Sequence, residues 1–410
     1  MTENLLADLF AIQLRVVHGV KTNFHRYLYG YINWENRLIG IIGGRGTGKT
    51  TLLLQYYCET YNDPKKCLYI SADNPLVMQD GIYTTVCEYF KYYGECVIID
   101  EIHKQNNWSI DVKALYDAYP DKKFIISGSS IINILNERGD LSRRLMLYKL
   151  EPLSFREYLN FRYKKSHESF PFETIVKDHS EISGKILYQH PRVIKDFHNY
   201  LEAGNFPFFI DHKREEYFSL LLNVIDKIIY EDIPSTKSLL PSTSIKLKKL
   251  IGYLTLSKIP LVNITSLTSE IEVSKDTLYM LFDLLNRAEI LNIVRIGGTN
   301  LKVMKHSKIL FTSPNIYYAL SENWWIHDPD PGNIRESFFA SQVGSVLDIH
   351  TSVKVDFTVA FERKVYEVEI DGRNKSGKQL KGIDSGLLFK DNIEIGTGNT
   401  IPLYLSGFLY

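Results

Sequence analysis

Eight consecutive residues have the types and spacing to hold a triphosphate: Gly43-Gly44-Arg45-Gly46-Thr47-Gly48-Lys49-Thr50. They fit G-x-x-x-x-G-K-[ST], a pattern with a physical basis. Glycines let the backbone curl so that successive N–H groups point inward at phosphate oxygens. A helix starting at the loop's end, with Thr51 in its first turn, adds its partial positive charge. Lys49 would reach the β- and γ-phosphates, and Thr50 would offer its hydroxyl to Mg²⁺. ATP with Mg²⁺ is the expected ligand.

A second group fits the same chemistry. The apolar run 96–99 ends in Asp100 and Glu101. Two carboxylates at the end of a buried strand are costly without a cation. Asp100 is expected to hold Mg²⁺ through water, and Glu101 to polarise the attacking water. Glutamate directly after aspartate favours hydrolysis over transfer to a second substrate. Two further positions are open. The run 124–126 leads into Ser127-Gly128-Ser129-Ser130. A hydroxyl there sits between the γ-phosphate and the water, or else Ser129 or Ser130 caps a helix. Arg143-Arg144 precedes the next apolar run. An arginine there neutralises transition-state charge, in cis or from a neighbouring subunit, or the two form a solvated basic pair.

These residues need a scaffold. Apolar runs at Leu38–Ile42, 67–70, 96–99, 124–126 and 145–150 alternate with amphipathic stretches of helix length. The first four are continuous and fit a parallel sheet covered on both faces, and the alternation predicts an α/β core. After Pro152 the chain reads as helices at Phe155–Tyr163, 181–188 and 217–230. Residues 246–256, 263–271 and 275–288, the last capped by Ser274, read as three more helices. Two apolar runs follow, 291–296 and 301–304, joined by Gly297-Gly298, a hairpin signal. Helices followed by a hairpin make a winged-helix pattern. The last stretch opens with a helix at 334–347. Strands are expected at 353–360, 365–370 and 403–410.

A chain of 410 residues suggests two to four domains. Lys plus Arg equals Asp plus Glu at 48 each, so any basic partner surface must be local. One such surface exists. Residues 237–313 hold eleven basic and five acidic side chains. That excess suits contact with a phosphate backbone. Lys275 opens the third helix of the pattern, Lys248 and Lys249 lie on the first, and Lys302 and Lys305 fall on the wing. DNA is the expected partner, and a protein-binding winged helix is the alternative. Cys58, Cys67, Cys87 and Cys96 form no CxxC pair and read as core residues in a reducing compartment. No apolar run approaches the roughly 18 residues of a membrane span. Residues 1–14 carry Glu3 and Asp8 and no basic segment, unlike a signal peptide. A cytoplasmic location is expected.

Several motifs together carry a family resemblance: GRGTGKTTLLLQ (44–55), IDEIHK (99–104), Trp108, IISGSS (125–130), Arg144 and LEPLSFREY (150–158). They continue with YLEAGNF (200–206), KHSKILFTSPNIYYAL (305–320), NIRESFF (333–339) and IPLYLSGFLY (401–410). The chain resembles prokaryotic AAA-type ATPases with a C-terminal DUF4143 region, over nearly its whole length. The resemblance implies an AAA-like ATPase core (1–152), a helical lid (153–235), a winged helix (236–312) and a PD-(D/E)xK nuclease-like domain (313–410). It puts Ser129 on the sensor segment and makes Arg144 an arginine-finger candidate. In the nuclease-like domain Glu336, Asp356 and Glu369 take the positions of metal-binding acids. Asp371 stands where the activating lysine belongs, and Lys375 or Lys378 is its alternative source. Gln379 matches a glutamine that this fold often carries. The expected function is Mg²⁺-dependent ATP hydrolysis coupled to DNA, in a chain that could form a homo-oligomer. A STAND-like signalling switch acting on protein partners, or an ATP-gated nuclease, is the alternative.

Overall fold

In the computed structural model, residues 2–128, 141, 143–236, 241–257, 264–297, 307–323, 328–372, 378–380 and 382–410 are described. They divide into two compact units, Met1–Glu151 and Pro152–Tyr410.

The first unit is built on five parallel strands: β1 (Leu38–Ile42), β2 (Cys67–Ser71), β3 (Cys96–Asp100), β4 (Lys123–Gly128) and β5 (Met146–Lys149). Their spatial order is β2-β3-β4-β1-β5. Alternate residues of one strand enter opposite cores. Leu38 and Ile42 pack on one face of the sheet, Ile39 and Ile41 on the other. Burial on both faces is why β1 to β4 read as unbroken apolar runs, whereas the edge strand β5 is half exposed. Because β4 lies between β1 and β3, the loop after β1 and the acids after β3 flank one strand end.

The helix Thr2–His18 finishes the sheet's edge. The buried Gln13 donates from Nε2 to the Cys67 carbonyl at 3.0 Å and accepts from the Tyr69 N–H at 3.0 Å. Cys67 and Tyr69 are alternate residues of the outer strand β2. One side-chain amide therefore does what a neighbouring strand would do. Gln13→Leu leaves two buried backbone groups unpaired and is expected to cost about 1–3 kcal/mol. Urea denaturation of the full chain measures this, and an unchanged midpoint would contradict the edge-capping role.

The second unit begins with helices Phe155–Tyr163, Phe172–Gln189, Val193–Ala203 and Arg214–Lys227. Helices Pro241–Leu256, Ile264–Ile271 and Lys275–Arg287 follow, then β6 (Leu291–Val294) paired antiparallel with β7 (Lys308–Phe311). The expected second hairpin strand, 301–304, lies outside the described residues. The partner of β6 is instead Lys308–Phe311, whose four residues are all buried. After helices Pro314–Asn323 and Pro331–Gly344 come β8 (Asp348–Thr351), β9 (Phe357–Phe361), β10 (Lys364–Asp371), β11 (Gly386–Lys390) and β12 (Thr400–Pro402). They form a mixed sheet in the order β12-β11-β10-β9-β8. The run 403–410, expected as a strand, is a 3₁₀ helix over Leu403–Phe408 with all six residues buried. A short run that is apolar on every side does not distinguish the two.

The boundaries expected at 235 and 312 fall inside this unit. Thr351 of β8 donates its N–H to the Arg295 carbonyl beyond β6 at 2.9 Å, so the hairpin adjoins the mixed sheet. Among the described residues no helix is long and apolar enough to cross a membrane.

Candidate nucleotide site

β1 delivers the chain to Gly43, and the helix Lys49–Thr60 takes it away after Gly48. Two glycines are required here by geometry. A Cβ on Gly43 would lie 2.3 Å from the Leu150 carbonyl oxygen. Gly48 has φ 96°, in the left-handed region. Gly44, Arg45, Gly46 and Thr47 complete the loop, with the Thr47 hydroxyl donating to the Gly44 carbonyl at 2.9 Å. Lys49 is buried, its ammonium 2.9 Å and 3.0 Å from the carbonyls of Gly43 and Gly44. Thr50 and Thr51 lie exposed at the helix start. A buried Arg26 braces the loop from outside. Its guanidinium donates to the Thr47 carbonyl and, at 2.6 Å, to the Glu151 carbonyl. No sequence motif marks Arg26; only its position in the fold reveals it.

Asp100 is the centre of the polar cluster. Its Oδ2 accepts from the Thr50 hydroxyl at 2.6 Å and from the Tyr69 hydroxyl at 3.0 Å. Its Oδ1 accepts from the Glu101 N–H at 3.0 Å and from the Ser127 hydroxyl. Burial and the adjacent Asp100 carboxylate push the Tyr69 phenol well above its ordinary range, so it stays a donor. The residues expected to hold Mg²⁺, Thr50 and Asp100, thus meet across fifty residues of sequence. A hydroxyl and a carboxylate oxygen are a donor set that suits Mg²⁺. Glu101 sits at φ 50°, uncommon for a side chain of its kind. Its carboxylate is 3.4 Å from Nε2 of the buried His103. Strain of this sort collects at working positions.

In the run 127–130, the Ser127 hydroxyl donates to Asp100. The expected Ser129, with Ser130, lies outside the described residues. β4 runs two residues past its apolar stretch, which brings Ser127 level with the acid. Tyr69 is likewise a site residue with no motif.

Arg144 lies elsewhere in its own chain. Its Nη2 lies 3.1 and 3.2 Å from the two Asp117 carboxylate oxygens, and its guanidinium is 5.8 Å from the Tyr116 ring centre. It precedes β5, whose Met146 pairs with Ile39 and whose Lys149 pairs with Ile42. The nucleotide loop leaves the opposite end of β1, about 16 Å further along at ~3.3 Å per strand residue. A contact with this chain's own nucleotide loop does not fit that geometry.

In the second unit the expected acids meet a different partner. Lys308 of β7 places Nζ 2.7 Å from Glu336 Oε2 and 2.7 Å from Asp356 Oδ1. Burial raises the Glu336 carboxyl to about 7, against the pull of Lys308. Burial, then Asp356 and Asp371, raise Glu369 to about 7 as well. Gln379, with its amide nitrogen turned inward, donates to Glu369 Oε2 at 3.1 Å and to the Lys354 carbonyl at 2.9 Å. Lys375 and the Lys378 side chain lie outside the described residues. Among the described residues no group of three acids, histidines or cysteines is placed to hold a metal. The metal set expected from Glu336, Asp356 and Glu369 does not fit, because an ammonium already bridges two of the three.

The candidate DNA residues are scattered in state. Lys249 is exposed, and so is Lys275 on the first turn of a helix capped by the Ser274 hydroxyl. Lys248 pairs with Asp226 at 2.9 Å and lies 5.3 Å from the Tyr230 ring centre. Lys302 and Lys305 lie outside the described residues. Lys308, part of the basic excess, is buried in its two ion pairs.

Parallel strands in this order, a phosphate loop after β1 and paired acids after β3 define an AAA-type P-loop ATPase domain. Residues 35–159 match the family model described as an AAA domain. Along its length the chain is similar to an uncharacterized protein of Methanocaldococcus jannaschii, 29% identical over 408 residues, 92% of this chain and 85% of the relative. Two solved structures overlap it loosely. One is the Aeropyrum pernix ORC1 protein in complex with DNA, at TM-score 0.30 and 12% identity, covering 76% of this chain and 92% of that one. The other is AMPPCP-bound DnaA from Aquifex aeolicus, at TM-score 0.28 and 14% identity, covering 63% and 84%. Overlap this limited assigns no function.

Proposed function

We propose that the chain is a Mg²⁺-dependent ATP hydrolase that works in the cytoplasm and associates with DNA through residues 236–312. The observation that carries the hydrolase reading is the 2.6 Å contact of the Thr50 hydroxyl with Asp100, beside Lys49 and Glu101. Loop N–H groups and the start of the helix Lys49–Thr60 bind the phosphates. Lys49 exchanges the carbonyls of Gly43 and Gly44 for β- and γ-phosphate oxygens. Thr50 and Asp100 hold Mg²⁺, which when bound neutralises charge on those oxygens. Glu101 orients the attacking water and takes its proton. Ser127 and Tyr69 keep Asp100 in place. Arg144 acts, in this reading, on the nucleotide of a neighbouring copy in a homo-oligomer. The mixed sheet after the helix Pro331–Gly344 supports kinship of the C-terminal part with DUF4143 and PD-(D/E)xK folds.

The DNA part rests on the local basic excess and on the exposed Lys249 and Lys275. Its test is duplex DNA binding, with ATP turnover followed alongside. Lys249→Glu with Lys275→Glu is expected to weaken binding roughly tenfold or more and to flatten its salt dependence, with basal turnover unchanged. Equal affinity in the variant would favour the second reading, a STAND-like switch that engages protein partners. That reading has support of its own: Lys248 and Lys308 are committed to internal ion pairs.

A further inference from the structure

The acid cluster of the C-terminal sheet contains its own cation. Lys308 is 8% exposed at its side chain, with one carboxylate oxygen 2.7 Å away on each of Glu336 and Asp356. Its Nζ also lies 4.7 Å from the centre of the buried Phe357 ring. An ammonium has three N–H donors. Two carboxylates and an aromatic face account for all three. The other oxygen of Asp356 accepts the Ile370 N–H at 2.9 Å, which fixes the carboxylate's orientation.

A divalent cation on the same pair would need oxygens at about 2.0–2.1 Å for Mg²⁺. It would then overlap and repel the ammonium. The lysine is not the one a nuclease-like motif supplies after β10, where Asp371 stands. It comes from β7, 48 residues before Asp356. Three segments thus converge on one charge: β7, the helix Pro331–Gly344 and the turn before β9.

We propose that Lys308 is a built-in counter-cation that takes the place of the divalent metal. The Glu336–Asp356 pair binds this chain's own ammonium, so the C-terminal sheet takes up no Mg²⁺ or Mn²⁺ at these acids and cuts no phosphodiester there. The cluster instead fastens the hairpin strand β7 to the helix Pro331–Gly344 and the start of β9. The charges are stable only as a set: removing Lys308 leaves two half-buried carboxylates without their shared cation. Such a gap is a site that a divalent cation would fill. The proposal stands apart from the hydrolase reading.

Mn²⁺ binding to nucleotide-free full-length protein, read by electron paramagnetic resonance, tests it. Wild type and Asp356→Asn are expected to bind Mn²⁺ identically. Lys308→Ala is expected to gain one site, roughly tenfold or more tighter than any in wild type, that Lys308→Ala with Asp356→Asn loses. A wild-type Mn²⁺ site that disappears in Asp356→Asn would overturn the proposal. So would Mn²⁺-dependent plasmid cleavage abolished by that substitution, or a folded Lys308→Ala protein that gains no site. If Lys308→Ala does not fold, the comparison of wild type with Asp356→Asn still decides.

Discussion

Asp100→Asn is expected to lower ATP hydrolysis by roughly a thousandfold, with most of the loss in kcat. Four donors converge on this one carboxylate, from Thr50, Tyr69, Ser127 and the Glu101 N–H. An asparagine has one acceptor oxygen, and its other end is an N–H₂ donor. Whichever way the amide turns, donors face donors on one side. The substitution therefore disorders Thr50 or Glu101 and also removes the charge that would hold Mg²⁺. Steady-state turnover at saturating Mg²⁺ and ATP, alongside binding of a fluorescent ATP analogue, reads the effect. Unchanged kcat would mean that the metal is held by other groups.

Asn315→Leu is expected to destabilise the second unit by about 4–6 kcal/mol, a large share of the 5–15 kcal/mol that usually holds a domain. Asn315 Oδ1 accepts from the N–H groups of Gly204 and Asn205 at 3.0 and 2.8 Å, and from the Tyr217 hydroxyl. Its Nδ2 donates to the carbonyls of Tyr200 and Leu201 at 3.0 and 2.7 Å. It satisfies the end of the helix Val193–Ala203 from 110 residues away. Asn205 extends the network to the Leu153 carbonyl at 3.1 Å, to the Tyr200 hydroxyl at 2.6 Å and to Ser313 at 2.7 Å. Leucine fits the volume but removes five hydrogen bonds to buried groups, and that asymmetry makes the loss large. Thermal melting by circular dichroism measures it. A melting temperature unchanged within about 2 °C would contradict it, since about 1 kcal/mol alone moves a domain of this size by ~2–4 °C.

The nucleotide site was legible because its parts are local. The phosphate loop is contiguous, and Asp100 and Glu101 end an apolar run that no surface strand would carry. The strands β1 to β4 were legible because burial on both faces writes itself as unbroken hydrophobic sequence. What escaped depends on contacts between distant residues. Ser129 came from the family resemblance and lies outside the described residues, whereas Ser127 of the same run is set against Asp100 only by the fold. Gln13, Arg26 and Tyr69 are ordinary residues until the fold sets them against a strand edge, a loop carbonyl and a carboxylate. Lys308 read only as one of the eleven basic residues between 237 and 313. Its strand is buried, so its charge turns inward to Glu336 and Asp356. The run 403–410 shows the limit of hydropathy itself, since full burial erases the periodicity that separates helix from strand.

The most direct test of the account is single-turnover hydrolysis of ATP with Mg²⁺ by wild type, Glu101→Gln and Lys49→Ala. Wild type is predicted to cleave bound ATP. Glu101→Gln is predicted to bind ATP with similar affinity and cleave it at least roughly a hundredfold more slowly, because only the water has lost its base. Lys49→Ala is predicted to lose both binding and cleavage. Hydrolysis by Lys49→Ala at the wild-type rate would contradict the assignment of residues 43–50 as the site.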